Sequence, residues 1–379
     1  MTGIASKCNV VLRDTNYQQV AIFDSWSDFS YTKEVNGVDS YTLSINGADP
    51  RCDLFELDGM ITVYRQIPGI STEWYEEFVG LHRFPKYSIS DNGVNTFTSV
   101  GVGLNDFLAR TIINYKEGTI KAEKINYGEI VIKEYVLENC GWQARTEQPY
   151  ERQSYGVLRD FVVETSGANG VLWEGSRAFE NLLETIRDIA RLSDLDYAVV
   201  FDNSLQKFVF RVYPNQLGTD RTTVGLSNVT GLNTAGNAPV IFSLGLGNVQ
   251  NIEYAYDRSN ESNVVSVLGD GAGATREIQV VTRSSTSDSP WNRREVARPQ
   301  GGFISQMQYA GNELLAELSA KELVNFVPLQ QESQLYGIHY FLGDKVTVSF
   351  KGTDYHKRIT GVSNKISDKE SITITFSDF

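Results

Sequence analysis

The sequence predicts a mainly β protein in which two similar antiparallel β-barrel domains flank a smaller α+β, helix-hairpin domain. Three observations lead there. The run 342–379 (LGDKVTVSFKGTDYHKRITGVSNKISDKESITITFSDF) repeats the plan of 57–102. Apolar and polar residues alternate at period two over many short segments. Between the two copies lies a segment whose apolar residues recur at helical spacing. Leu57 to Val63 lies over Leu342 to Val348, Phe78-Val79-Gly80-Leu81 over Ile359-Thr360-Gly361-Val362, and Tyr87 to Gly93 over Lys365 to Glu370. A closing strand follows in each copy, at 94–100 and 372–376. The loop behind the first strand is longer in the N-terminal copy, as surface loops tolerate insertions.

In chain order, 9–12 and 20–23 form a hairpin about the polar turn Asp14-Thr15-Asn16. The alternating runs 26–34 and 40–46 flank Asn36-Gly37, a strong hairpin signal. Trp26, Phe29, Tyr31 and Tyr41 fall on alternate positions and fill one sheet face. Residues 1–115 read as one antiparallel sheet, closed or nearly closed into a barrel.

Past Gly103, Leu104, Phe107, Leu108 and Ile112 stand at helical spacing, and 130–138 is a helix stopped by Asn139-Cys140-Gly141. The stretch 143–170 reads as loops with one strand at 160–164. The clearest helix, 176–191, puts Phe179, Leu182, Leu183, Ile186, Ile189 and Ala190 on one face, a core stripe, and mixed charges on the other. A hairpin, 197–201 with 207–213, follows, and 215–238 is a polar exit linker. Residues 116–240 are thus a middle α+β domain. The C-terminal barrel domain, 241–379, opens with hairpins from 249–257, 263–268 and 276–282, carries an inserted helix at 311–326, and reaches the final repeat through a strand at 331–335.

The bulk numbers set limits. With 379 residues the chain is long enough for two or three domains. The 19 Tyr, 19 Phe, 5 Trp and 32 Gly against 9 Pro suit a strand-rich globular protein. A net charge of -13 opposes a general phosphate-binding surface, since nonspecific nucleic-acid affinity comes from Lys and Arg displacing counterions. Arg293-Arg294 is the one obvious basic pair in an exposed-looking loop. No run approaches the ~20 apolar residues that cross a bilayer, and the N-terminus lacks the apolar core of a signal peptide, so synthesis and assembly in a cytoplasm are expected.

Chemistry-bearing patterns are sparse, and no catalytic, cofactor-binding or metal-ligating residue is expected. The glycine run 269–273 precedes a strand rather than a helix and reads as a turn, not a phosphate cradle. His82, His339 and His356 share no metal-ligand spacing and read as surface or rim residues. Cys8, Cys52 and Cys140 fit neither a disulfide framework nor a metal knuckle. No G-x-S-x-G elbow is present. Asp194 and Asp196, and Glu73, Glu76 and Glu77, read as solvated turn and loop charges rather than a glycosidase pair, which is defined by its separation in space.

The layout resembles the tail-hub proteins found at the tail tip or baseplate of long-tailed bacteriophages. The resemblance is carried by SYTLSINGADPRCDLFELDGMITVYR with EEFVGLHRF, by EYVLENCGW and FENLLETIRDIARLSDLDYAVVFDNSLQKFVFRVYP, and by FLGDKVTVSFKGTDYHKRITGVSNKIS. It covers nearly the whole chain in order through loose motifs. It implies a structural, non-enzymatic virion protein: a homotrimer whose two barrels per chain give six similar units, joining a six-fold tail tube to three-fold tip proteins around the DNA channel. The partners it implies are tail tube, distal tail, tape measure and tip or fibre proteins, without specific nucleic-acid binding or stable membrane insertion. Because the sequence stops directly after the last strand, a hydrolytic appendage is expected to be absent. Two other classes compete: a glycan-binding adsorption module, which would expose aromatics on a barrel face, and a cell-wall hydrolase, which needs polar residues converging in a cleft.

Overall fold

The computed structural model of the chain describes residues 6–114, 119–141, 160–283, 290–300, 304–367 and 369–377. Strands dominate and helices are few, so the mainly β expectation holds. The N-terminal strands are β1 (Lys7–Arg13), β2 (Gln19–Phe23), β3 (Asp28–Glu34), β4 (Ser40–Asn46), β5 (Met60–Gln66), β6 (Tyr75–Ile89) and β7 (Asn95–Gly103). The β1–β2 turn is held by Asp14 Oδ1, which accepts from the N–H groups of Asn16 and Gln18. At the β3–β4 turn Asn36 has φ 58°, the left-handed conformation that asparagine tolerates. Phe29, Tyr31 and Tyr41 are buried together with Leu43, Phe78 and Phe97, as their alternation requires.

The middle of the chain holds α1 (Asp106–Ala109), β8 (Ala122–Tyr127), α2 (Gly128–Asn139), β9 (Phe161–Val163), β10 (Leu172–Arg177), α3 (Leu182–Ser193), β11 (Leu195–Asp202) and β12 (Lys207–Pro214). Here the helix expected at 176–191 is corrected. Residues 172–177 are a strand paired with β8, and α3 starts at Leu182 because the Asn181 side chain accepts from Glu184 N–H as its N-cap. Phe179 lies outside the helix with φ 58° and is exposed. The rest of the stripe is core: Leu182, Leu183, Ile186, Ile189 and Ala190 are buried against α2, β11 and β12 residues. Most of the loop expected over 143–170 lies outside the described residues. The supposed linker is a folded segment that holds β13 (Asp220–Arg221) and leads into β14 (Ile241–Ser243), both running parallel to the strand at 345–350. Asn233 and Asn237 donate side-chain N–H groups to Asp220 O there, so polar composition reflects hydrogen bonding rather than slack chain.

The last third contains β15 (Val249–Asp257), β16 (Val264–Leu268), β17 (Ile278–Thr282), β18 (Glu295–Pro299), α4 (Ile304–Glu317), β19 (Lys321–Pro328), β20 (Lys345–Phe350), β21 (Thr353–Ile366) and β22 (Glu370–Ser377). Three expectations fail here. The helix lies at 304–317, not 311–326, and Lys321–Pro328 is a strand. β15 pairs with β19, 64 residues or more away along the chain, rather than with its neighbour β16. Residues 331–335 form only a single bridge between Gln331 and Gln334. The stretch KELVNFVP has strand composition, but its Leu323 and Phe326 also continue the helical spacing of α4, so periodicity alone misplaces the boundary. β16, β17, β18 and α4 make a separate small unit around Val265, Val267, Val281, Met307 and Leu315.

Twelve strands form one sheet, with the path β13-β20-β21-β3-β4-β7-β6-β5-β1-β2 and with β14 and β22 flanking β20 and β21. The path does not close among the described residues and β3 joins β21, so of the two barrels expected as closed or nearly closed, neither is found there as a separate closed barrel. The two sequence repeats are nonetheless built alike. In the first, Asp58 N–H donates to His82 O at 2.9 Å and His82 N–H to Gly59 O at 2.8 Å; in the second, Gly343 N–H donates to Ile359 O and Ile359 N–H to Asp344 O, both at 2.9 Å. Asp58 and Gly343 are both left-handed, with φ 67° and 91°. The long middle strands carry matching register shifts, between His82 and Phe84 and between Ile359 and Gly361. His82 therefore lies over Ile359, and Ile89 over Ile366. The sequence match of Phe78 with Ile359 is four residues out, an even number that preserves the buried face and so leaves the alternation unchanged.

Candidate functional site at the junction of the two repeats

Where β3 meets β21, the two halves share a buried polar network. Arg65 on β5 is 1% exposed. Its Nη2 donates to Glu370 Oε1 at 2.5 Å and its Nη1 to the Tyr75 hydroxyl at 2.8 Å. Asn364 Nδ2 donates to the same Glu370 oxygen at 2.7 Å and lies 2.9 Å from the Tyr31 hydroxyl. Beside them the Tyr336 hydroxyl donates to Glu77 Oε1 at 2.7 Å, and Lys33 Nζ donates to Glu77 O at 2.7 Å. The Arg65 guanidinium stands 5.4 Å from the Tyr336 ring centroid. Two cations thus face two carboxylates, which is the condition for burying charge. Burial drives the Tyr31 and Tyr336 hydroxyls well above the ordinary tyrosine range, and neighbouring Glu77 adds to it, so both stay protonated, Tyr31 accepting from Asn364 and Tyr336 donating to Glu77.

A second junction joins the middle segment to both halves. Asp196, 1% exposed, accepts from Asn36 Nδ2 at 3.0 Å, from Leu217 N–H at 2.5 Å, and from Arg358. Asp344 accepts from Thr219 N–H at 2.6 Å and Phe341 N–H at 2.9 Å, with Arg221 Nε at 3.1 Å. Burial raises its carboxyl above the usual range despite these donors. Glu77 and Asp196, expected as solvated charges, are therefore buried cross-links. Their hairpin-end positions looked like loops, and only the long-range pairing of β3 with β21 encloses them.

Each of these four carboxylates is engaged by a cation: Glu77 by Lys33, Glu370 by Arg65, Asp344 by Arg221 and Asp196 by Arg358. One serine and one histidine do meet: His82 Nδ1 is 2.7 Å from Ser99 Oγ, the spacing of a nucleophile and its base. Both are fully buried, with Phe55 and Phe97 rings against the imidazole, so no substrate reaches them; the expectation of a surface or rim His82 is corrected. His339 Nδ1 accepts from Leu335 N–H and His356 Nδ1 lies 3.1 Å from Thr347 Oγ1. The three cysteines are buried. Gly271 and Gly273, both left-handed, form a turn that leads through a short 3-10 segment into β17, as expected of that glycine run. No group of three or more His, Cys, Asp or Glu able to hold a metal occurs among the described residues, and no described helix is long and apolar enough to cross a membrane. A cleft of about 680 Å³ between β10 and α4 is lined by Arg177, Arg298 and Glu313, but there Glu313 already pairs with Arg177 at 3.5 Å and Arg298 at 3.7 Å.

What the sheet assigns instead is kinship. The sequence profile of the family described as Siphovirus ReqiPepy6 Gp37-like protein matches residues 9–376. The chain belongs to this family. Its fold is shared with a tail protein from Neisseria meningitidis MC58, with TM-score 0.59 at 12% identity over 99% of this chain and 97% of that one. It is also shared with the 43 kDa tail protein of prophage MuSo2 from Shewanella oneidensis, with TM-score 0.56 at 13% identity over 98% and 97%. The prophage tail protein gp18 from Listeria monocytogenes EGD-e matches with TM-score 0.52 at 10% identity over 98% and 94%. No curated protein matches the chain. The resemblance to phage tail proteins read from the sequence therefore holds.

Proposed function

We propose that this chain is a non-enzymatic structural component of a phage tail tip or baseplate, a trimeric hub that adapts a six-fold tail tube to three-fold tip proteins around the DNA path. The observation that carries this reading is the duplication. Two meanders, β5–β6–β7 and β20–β21–β22, share a strand order, a left-handed turn residue and a register shift. Three chains then present six similar units, which is what a junction between six-fold and three-fold rings needs. On this reading the ring-forming units are 1–115 and 241–379, barrel-like once assembled, and 116–240 is the domain outside the ring. Family membership and the fold shared with tail proteins support the setting. The expected neighbours are tail tube, distal tail, tape measure and tip proteins. The burial of every charge cluster at the repeat junction supports a scaffold rather than a hydrolase. Native mass spectrometry of the purified chain, alone and with its tail tube protein, tests this: trimers, or trimers captured by the tube ring, are expected, and a monomer that never joins the tube protein would overturn it.

A further inference from the structure

The two repeats differ in one respect that points to a partner. β21 has β22 along one edge, and along the other it has first β20, opposite 353–358, and then β3, opposite 361–366. β6 has β7 along one edge and β5 along the other, opposite 75–81. Beyond His82, where β5 ends, nothing described pairs with that second edge. The place filled by β3 on the second repeat is vacant on the first. From Phe84 to Ile89, β6 is the outer strand of a β4-β7-β6 arrangement, paired with β7 on one edge only, and Phe84, Tyr87, Ile89 and, past the turn, Val94 are exposed, Ile89 by 73%. An exposed strand edge carrying apolar side chains is a ready template for pairing with another chain.

The same comparison names the occupant. β3 pairs with β4, which pairs with β7. In the second repeat β15 pairs with β19, and β19 packs on β22, the counterpart of β7, with Phe326 and Phe376 stacked at 4.7 Å. β15 is thus the counterpart of β3, and its outer edge is also unpaired among the described residues, with Glu253, Tyr254, Tyr256 and Asp257 exposed. We infer that β15 of one copy takes the vacant place on β6 of another, as β3 takes the equivalent place on β21 within the chain. Lys86 of this edge strand then meets a strand carrying Glu253 and Asp257, and the exposed Tyr256 covers its apolar side chains. Ser90 N–H turns inward to Val94 O, so by alternation Pro85, Tyr87 and Ile89 turn their backbone groups to the free edge. Pro85 lacks an N–H, so Tyr87 and Ile89 supply the donors. β6 and β15 are different surfaces, so the contact is head-to-tail and generates a ring when it closes.

This inference rests on the hub reading and supplies its contact. It is tested by pairing Ser88→Cys in one population with Gln250→Cys, Glu253→Cys or Ala255→Cys in another, the native cysteines being buried. Mixing under oxidation is expected to give interchain disulfides for one of these partners, and Ile89→Pro, which removes an outward donor without touching β7, is expected to weaken association at least tenfold while leaving the circular dichroism spectrum unchanged. Oligomers that form normally with Ile89→Pro and cross-link with no β15 partner would overturn this interface and leave the hub reading standing. A chain that stays monomeric at all concentrations would overturn both.

Discussion

Arg65 is the residue on which the joining of the two halves bears most directly. Its removal leaves Glu370 buried without its cation, and breaking one side of a buried pair costs about 3–5 kcal/mol. Arg65→Met is therefore expected to lower unfolding free energy by that amount in urea titration, while Arg65→Met with Glu370→Leu recovers more than half, because no lone charge remains. Equal losses in the single and double variants would show that the packing, not the pair, matters. His82 gives a pH signature. Burial pushes its pKa down to about 4 from the ordinary 6.5, so between these values the unfolded chain binds a proton that the folded chain refuses. Stability from this group is complete above about pH 6.5 and is lost as pH falls toward 4. Asp39 works the other way, since burial raises its carboxyl to about 6 and the folded chain then holds the extra proton between about 3.8 and 6. His82→Gln is expected to shrink the loss of stability between pH 7 and 4.5; an unchanged profile would contradict this assignment. Neither residue's burial was legible in the sequence. Arg65 sits beside a loop, and the carboxylate that accepts its hydrogen bond is 305 positions away.

At the level of elements, most strands were legible because alternation and turn chemistry agree, as at Asn36-Gly37 and at Asp14. Errors came where a cap or a distant strand overrides periodicity. The stripe of α3 extends visually back to Phe179, but Asn181 begins the helix and β8, whose own alternation is weak, claims 172–177. Likewise α4 and β19 blur because Leu323 keeps helical spacing. Gly311 inside α4 offers a decisive case. Alanine there would gain about 1 kcal/mol of helix propensity, yet its Cβ would stand 2.4 Å from Val281 Cγ2 and 3.0 Å from Val281 Cβ. A β-branched neighbour in a packed core gives little, and overpacking costs about 1–3 kcal/mol. Gly311→Ala is therefore expected to lower the melting temperature of the chain; a rise would mean that α4 shifts freely on β16 and β17.

For the whole molecule, the duplication was legible from two matched runs, and its turn and first strand were placed in the correct register. What the runs could not show is that both meanders share one sheet, because the β3–β21 ladder links residues more than 300 positions apart and strand pairing at that distance leaves no local pattern. The same ladder explains why the candidate site is a joint. Charges that the sequence presents as hairpin-end carboxylates are enclosed only when the halves meet, and they meet as paired cross-links, Lys33 with Glu77 and Arg65 with Glu370. These cross-links and the duplication are the features on which the proposed hub rests. The most direct measurement is a reconstruction of the tail particle that counts this chain around the tail axis. Three copies, with six meanders arranged at near-equal angles about the channel, are predicted; six copies, or a single copy off the axis, would contradict the hub.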